Sequence, residues 1–278
     1  MLTWFQQSFQ ENSVLWLLVS SILGGIIGAS MRFVFEVILP QRLQRKREVI
    51  AVKRKYATPI LLAAEDLRRR LENIIKIIET IDHRNVFSVR DPPGYYYLST
   101  LYVVGQFFGW VQILRRTVAY LDFTTTKETR KYERFLAAIE DGFSSPSLLG
   151  AASTSYPADT QDHWVFTFQL QAIGSLMVDS ETKQDRTRDY ISFCKAYSGS
   201  ENKEFRRWFA PLSAMFQNLK AEDPRFRRIV AIHAILNAFI EAVDPKHLRT
   251  EKHPYHKELL SEQECGSLDS RISEIVTL

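Results

Sequence analysis

"YYYLSTLYVVGQFFGWVQILRR", residues 95–116, decides the fold of this 278-residue chain. Its first twenty residues carry no charge. At about 1.5 Å per residue, that is long enough to cross the hydrocarbon core of a bilayer. The stretch is therefore either a membrane span or the buried centre of a helical bundle. Three observations favour the bundle. Its tyrosines, Ser99, Thr100, Gln106 and Gln112 make it far more polar than the apolar run at residues 14–31. A crossing would place Arg115, Arg116, Lys127, Arg130, Lys131 and Arg134 opposite the chain's main basic run, against the positive-inside rule. A helix that is apolar all round suits the interior of a large bundle. Gly105 and Gly109 would then let neighbouring helices approach closely. A buried central helix is the expectation, and a second span is the alternative.

The basic run that sets this orientation is "QRLQRKREVIAVKRK", residues 41–55, where Arg42, Arg45, Lys46, Arg47, Lys53, Arg54 and Lys55 face one Glu48. The whole chain carries +4 and this run alone +6, so the remainder is slightly acidic. A nucleic-acid-binding domain spreads cations over a folded surface, and that class is set aside. The preceding stretch explains the run. "VLWLLVSSILGGIIGASM", residues 14–31, contains no charge, and no Lys or Arg precedes it as in a secretory signal peptide. It reads as a retained transmembrane anchor, with Trp16, Phe33 and Phe35 placed for the two interfaces. The charge asymmetry puts the short N-terminus outside and the rest in the cytoplasm. The seven cations are then chiefly a topology determinant beside the lipid bilayer, with a further attraction for anionic lipid headgroups of about 1 kcal/mol per base. Arg32 and Glu36, four apart on one helix face near the cytoplasmic boundary, can pair or snorkel there at modest cost. Ser20, Gly24 and Gly28 at four-residue spacing suit close helix–helix contact in the membrane and a homo-oligomer.

After the anchor the chain reads as all-α, a single N-terminal transmembrane helix followed by a cytoplasmic helical bundle of six to eight helices. The expected organisation is an extracytoplasmic N-terminus at 1–11, the anchor at 12–33 and a basic juxtamembrane helix at 34–58. A bundle domain follows at 59–245, then a polar, partly ordered tail at 246–278. Pro59 is expected to break or kink the chain. Ile60, Ala64, Leu67, Leu71, Ile74, Ile78 and Ile81 alternate at four and three residues, which serves a coiled coil or, preferably, one wall of the bundle. "DLRRRLE" is expected to be its charged outer face. "DRTRDYISFCKAY", "NKEFRRWFAPLSAMFQNL" and "PRFRRIVAIHAILNAFIEAV" read as further helices, the last capped by Asp223 and Pro224 and ending before Asp244 and Pro245. No alternating strand pattern of useful length occurs.

The stretch from Tyr56 to Ile74, then "YLSTLYVVGQFFGWVQILRR", then "QLQAIGSLM", resembles a family of membrane-anchored helical proteins with no assigned activity. The resemblance covers roughly residues 50–180. It implies a shared helical core and brings no catalytic residues with it.

Chemical signatures are sparse. There is no phosphate-binding GxxxxGK[ST] or GxGxxG loop and no GxSxG nucleophile elbow. Cys194 and Cys265 are too far apart in sequence for a CxxC pair and are expected to stay reduced. His233 lies in an apolar helix and reads as a hydrogen-bonded core histidine. His247, His253 and His256 cluster near Glu251 and Glu258 in the tail, where a metal site would need rigidity that the polar surroundings do not promise. His163 reads as a helix cap. Asp82, His83, Arg84 and Asp91, with Gln106, Gln112 and the 95–97 tyrosines, read as caps and satisfied core amides rather than a pocket. No catalytic, cofactor or metal site is assigned. The expectation is a membrane-tethered scaffold or adaptor that engages a protein partner. A two-span transporter or channel subunit, or a membrane-surface enzyme, are the alternatives.

Overall fold

The computed structural model describes residues 13–33, 35–36, 39–80, 94–118, 127–149, 164–179, 185–199 and 202–277; of residues 13–18, 41–43, 45–46, 48–50, 52–54 and 118 it describes the backbone alone. Among them the chain is all-helical. In order come α1 (Ser13–Phe33), α2 (Leu39–Thr80), α3 (Tyr95–Val118), α4 (Lys127–Ser144), α5 (Thr167–Met177), α6 (Tyr190–Ser198), α7 (Lys203–Phe216), α8 (Pro224–Val243), a 3₁₀ turn (Lys257–Leu259) and α9 (Glu262–Val276). One isolated antiparallel bridge joins Val178 and Thr187. The chain divides into two compact units, Met1–Ala51 and Val52–Leu278.

In the first unit, every α1 residue with a described side chain, 19–33, is exposed. Arg32 Nε donates to both oxygens of Glu36 at 2.9 Å, as their spacing predicts. Among the described residues no helix is long and apolar enough to cross a membrane.

The second unit is a helical bundle with α3 and α8 at its centre. Leu101, Val104 and Phe107 of α3 are fully buried, so this stretch is the bundle's core helix and not a second span. It crosses α5 at a point only glycine allows: a Cβ on Gly174 would lie 2.6 Å from the backbone oxygen of Phe108, and one on Gly109 would lie 2.8 Å from Thr187 Cγ2. α8 is buried from Ile229 to Ile240 and packs against α4. Its N-terminus is capped as the sequence predicts, Asp223 accepting from Arg225 N at 2.8 Å. Arg228 adds a buried tie, donating to the carbonyls of Gly142 (2.8 Å) and Ser145 (2.9 Å) at the end of α4.

Two expectations are corrected. The helix does not break at Pro59; α2 runs through it. Tyr56 before it and Ile60, Leu61, Ala63 and Ala64 after it are buried, and that packing outweighs the missing backbone donor. The tail after Lys246 is built rather than partly ordered. Asp244 accepts from the backbone N–H groups of Leu248 (3.0 Å), Arg249 (2.9 Å) and Thr250 (3.2 Å), folding the chain back on itself. Ser261 and Glu264 form a capping box that starts α9, and Leu268 and Ile275 bury against the bundle. Caps, rather than hydrophobic content, order this segment.

Candidate functional site

The stripe Ile60, Ala64, Leu67, Leu71, Ile74 and Ile78 faces the core as its spacing predicts; Ile81 lies outside the described residues. Beside it runs a second row at the same four–three spacing: Leu61, Glu65, Arg68, Glu72 and Ile75. All five are buried, with Arg68 at 0% and both glutamates at 3% exposure. The presumed charged outer face is therefore partly interior. Its sequence signal was available: three charges of alternating sign, one residue beyond each core position, between two aliphatic residues.

The charges pair along the helix, although Arg68 Nη1 is left without a hydrogen bond. Arg68 donates to Glu65 through Nη2 (2.5 Å) and Nε (3.1 Å), and Arg69 donates to the same carboxylate at 2.8 Å. Glu72 lies 3.7 Å from Arg68 Nη1 and 2.6 Å from Lys76 Nζ. Burial pushes the Glu72 carboxyl up, but Lys76 and His253 outweigh that and hold it below its ordinary value.

The tail supplies the other side. His253 Nδ1 lies 2.5 Å from Glu72 Oε2, and His256 Nε2 lies 3.9 Å from Glu72 Oε1. The His256 ring is 5.5 Å from that of His233 on α8. His233 is fully buried, as its apolar helix suggested, with the Tyr255 backbone of the tail as its one polar neighbour of hydrogen-bonding kind among the described residues. Burial pushes its pKa down to about 3; His256 and Arg68 lower it further, and Glu72 and the Tyr255 backbone oppose them. It is held neutral. His247 stands apart, its Nδ1 3.2 Å from Thr250 Oγ1.

Tail and bundle are tied around this cluster by Asn237 Nδ2 donating to Pro254 O at 2.9 Å, by Tyr255 donating to Glu241 Oε2 at 2.7 Å, and by Arg69 Nη2 lying 3.0 Å from Glu251. No group of three or more His, Cys, Asp or Glu among the described residues is arranged to hold a metal. Glu72, the central carboxylate, is already engaged by Lys76 and His253.

The residues singled out for the membrane lie elsewhere. Arg47 and Lys55 are exposed; the side chains of Arg42, Arg45, Lys46, Lys53 and Arg54 lie outside the description. Lys55 Nζ is 2.6 Å from Asp185 and Tyr56 also donates to that carboxylate, so this cation helps fasten the bundle. Ser20, Gly24 and Gly28 are exposed, and a Cβ on either glycine would meet nothing within 4 Å. Tyr97 bonds Ser213 and Tyr197 (3.1 Å), a tie between α3 and its neighbours. Gln106 and Gln112 are half-buried. Asp82, His83, Arg84, Asp91 and His163 lie outside the described residues. Cavities among the described residues of the second unit include two open ones. One of about 200 Å³ lies between Thr58, Leu61 and the Asp244 loop. One of about 320 Å³ is lined by Asp179, Arg186, Arg188, Asp189 and Lys195, where Arg186 already pairs with Asp179 at 2.7 Å.

No family model, no curated protein and no solved structure matches this chain.

Proposed function

We propose that the protein is a membrane-anchored helical scaffold or adaptor without catalytic activity, anchored once through α1, with its N-terminus outside and its bundle in the cytoplasm. One observation carries this reading: α1 holds the longest strongly apolar run of the chain, and each of its described side chains is exposed. Val19, Ile22, Leu23, Ile26, Ile27, Met31 and Phe33 are all uncovered. An apolar surface of this extent is unstable in water and marks a membrane or partner contact. Among the residues with described side chains, 19–33, α1 is too short to span; counted with residues 13–18, whose backbone alone is described, it runs 21 residues or about 31 Å, the thickness of a hydrocarbon core. Seven cations from Arg42 to Lys55 come next in the sequence, an asymmetry that orients such an anchor and attracts anionic headgroups. Ser20, Gly24 and Gly28 provide a flat face for a second α1. The bundle then presents its surface to a protein partner.

A transporter or channel needs α3 in the bilayer, and its burial against α5 speaks against that. Topology reporters placed after Asp141 and at Leu278 test the reading. Both are expected to report cytoplasm while the chain stays in the membrane fraction through an alkaline wash. Reporters outside, or a chain released by the wash, would overturn it.

A further inference from the structure

We propose that the C-terminal segment, residues 244–277, is an acid-released strap: neutral His233, buried beneath it, keeps it closed over the Glu65–Arg68–Glu72 row, and proton uptake by His233 opens it. This device stands whether or not α1 lies in a membrane.

The geometry places the His233 imidazole where a charge is costly: it is fully buried on α8, beneath the tail, with its ring 5.5 Å from that of His256. From α2 it faces Arg68 and Glu72, with Glu65, Arg69 and Lys76 attached to these. The tail contributes Tyr255, His253, Glu251 (3.4 Å from His253 Nε2) and Glu258 (3.5 Å from His256 Nδ1). On α8 itself the charged groups are Arg228, five residues back and donating to Gly142 and Ser145, Arg227, 3.1 Å from Glu264 of α9, and Glu241, which accepts from Tyr255; α4 presents Tyr132 to Phe239. Burial, with Arg68 on the same side, opposes a proton on His233, and Glu72 offsets this only in part.

The sign follows. In the closed form His233 binds a proton only near pH 3, whereas a solvated imidazole binds one near 6.5. The open form therefore takes up the proton first. The strap is fully held above about pH 6.5 and is progressively lost as pH falls from there toward 3, by up to tenfold per pH unit. Opening uncovers the charged row of α2 and the adjoining face of α8.

Hydrogen exchange on the full-length chain, followed by mass spectrometry and corrected for intrinsic rates, tests this. Amides of residues 247–260 are expected to lose protection by about 30-fold between pH 7.5 and 5.0, while those of α3 and α5 keep theirs. His233→Leu, which cannot take up the proton, is expected to remove most of that change. Strap amides that keep their protection at pH 5.0 would overturn the proposal. So would a loss shared equally by α3, which is global acid unfolding, or a His233→Leu chain with the full pH response. Should His233→Leu fail to fold, the wild-type contrast between strap and α3 still decides.

Discussion

In α1, Ile22, Leu23, Ile26 and Ile27 are more than half exposed, whereas in α2 the charged side chains of Glu65, Arg68 and Glu72 are almost completely buried. The two helices reverse the ordinary relation between side-chain polarity and burial, for different reasons. The described side chains of α1 are exposed, and an apolar surface of this extent marks a contact with a medium or partner of like polarity. The charges of α2 sit inside because each has an opposite charge three or four residues away, and because the tail lies over them. A buried ion pair is weak evidence of net stabilisation, since desolvation offsets most of the attraction. Removing one member is another matter.

That asymmetry gives the largest expected effect. Arg68→Ala leaves two buried carboxylates short of their cation and is expected to lower the stability of the bundle by about 3–5 kcal/mol in urea unfolding. Replacing Glu65, Arg68 and Glu72 together by aliphatic residues is expected to recover at least half of that loss. A triple variant as weak as the single one would show that the row contributes more than charge balance.

Glycines sharpen the comparison next. Gly174→Leu pushes a side chain into the backbone oxygen of Phe108 and is expected to cost about 3 kcal/mol or more by separating α3 from α5. At Asp244, substitution by Ala removes the acceptor of three backbone N–H groups and the Thr250 hydroxyl. A loss of about 1–3 kcal/mol is expected, with hydrogen exchange at residues 247–250 rising most. Burial pushes the Asp244 carboxyl up, but those hydrogen bonds outweigh it and hold its pKa below the usual value. Its contribution is therefore full above about pH 4 and lost only as pH falls further, a window below most of the His233 one.

Lys55→Ala opens an exposed pair with Asp185 and is expected to change stability by less than about 1 kcal/mol. Smallest of all, Gly24→Leu and Gly28→Leu meet open space and are expected to leave the unfolding of the bundle unchanged while weakening α1 self-association in a bilayer, read by crosslinking. A bundle destabilised by Gly24→Leu would mean that α1 is covered by the chain itself.

Much of the fold was legible in the linear pattern. The four–three spacing from Ile60 to Ile78 marked the core face of α2, Asp223–Pro224 and Asp244–Pro245 marked the ends of α8, and the polar interruptions of residues 95–114 marked α3 as an interior helix. The candidate site was not legible as a site. His233 was visible only as one polar residue among aliphatics, and His253 and His256 as part of a polar tail. Their meeting at Glu72 spans about 180 residues of sequence, and no local pattern encodes such a contact.

By itself the sequence determined where helices begin and end, which faces are apolar, and where the excess positive charge lies, because these depend on the period of the helix and on side chains adjacent in the chain. Only the tertiary structure decided that the Glu65–Arg68–Glu72 row is interior, that Pro59 is accommodated, and that the tail closes over buried histidines. Burial, and with it the cost of a charge, depends on what packs against a residue from elsewhere in the chain.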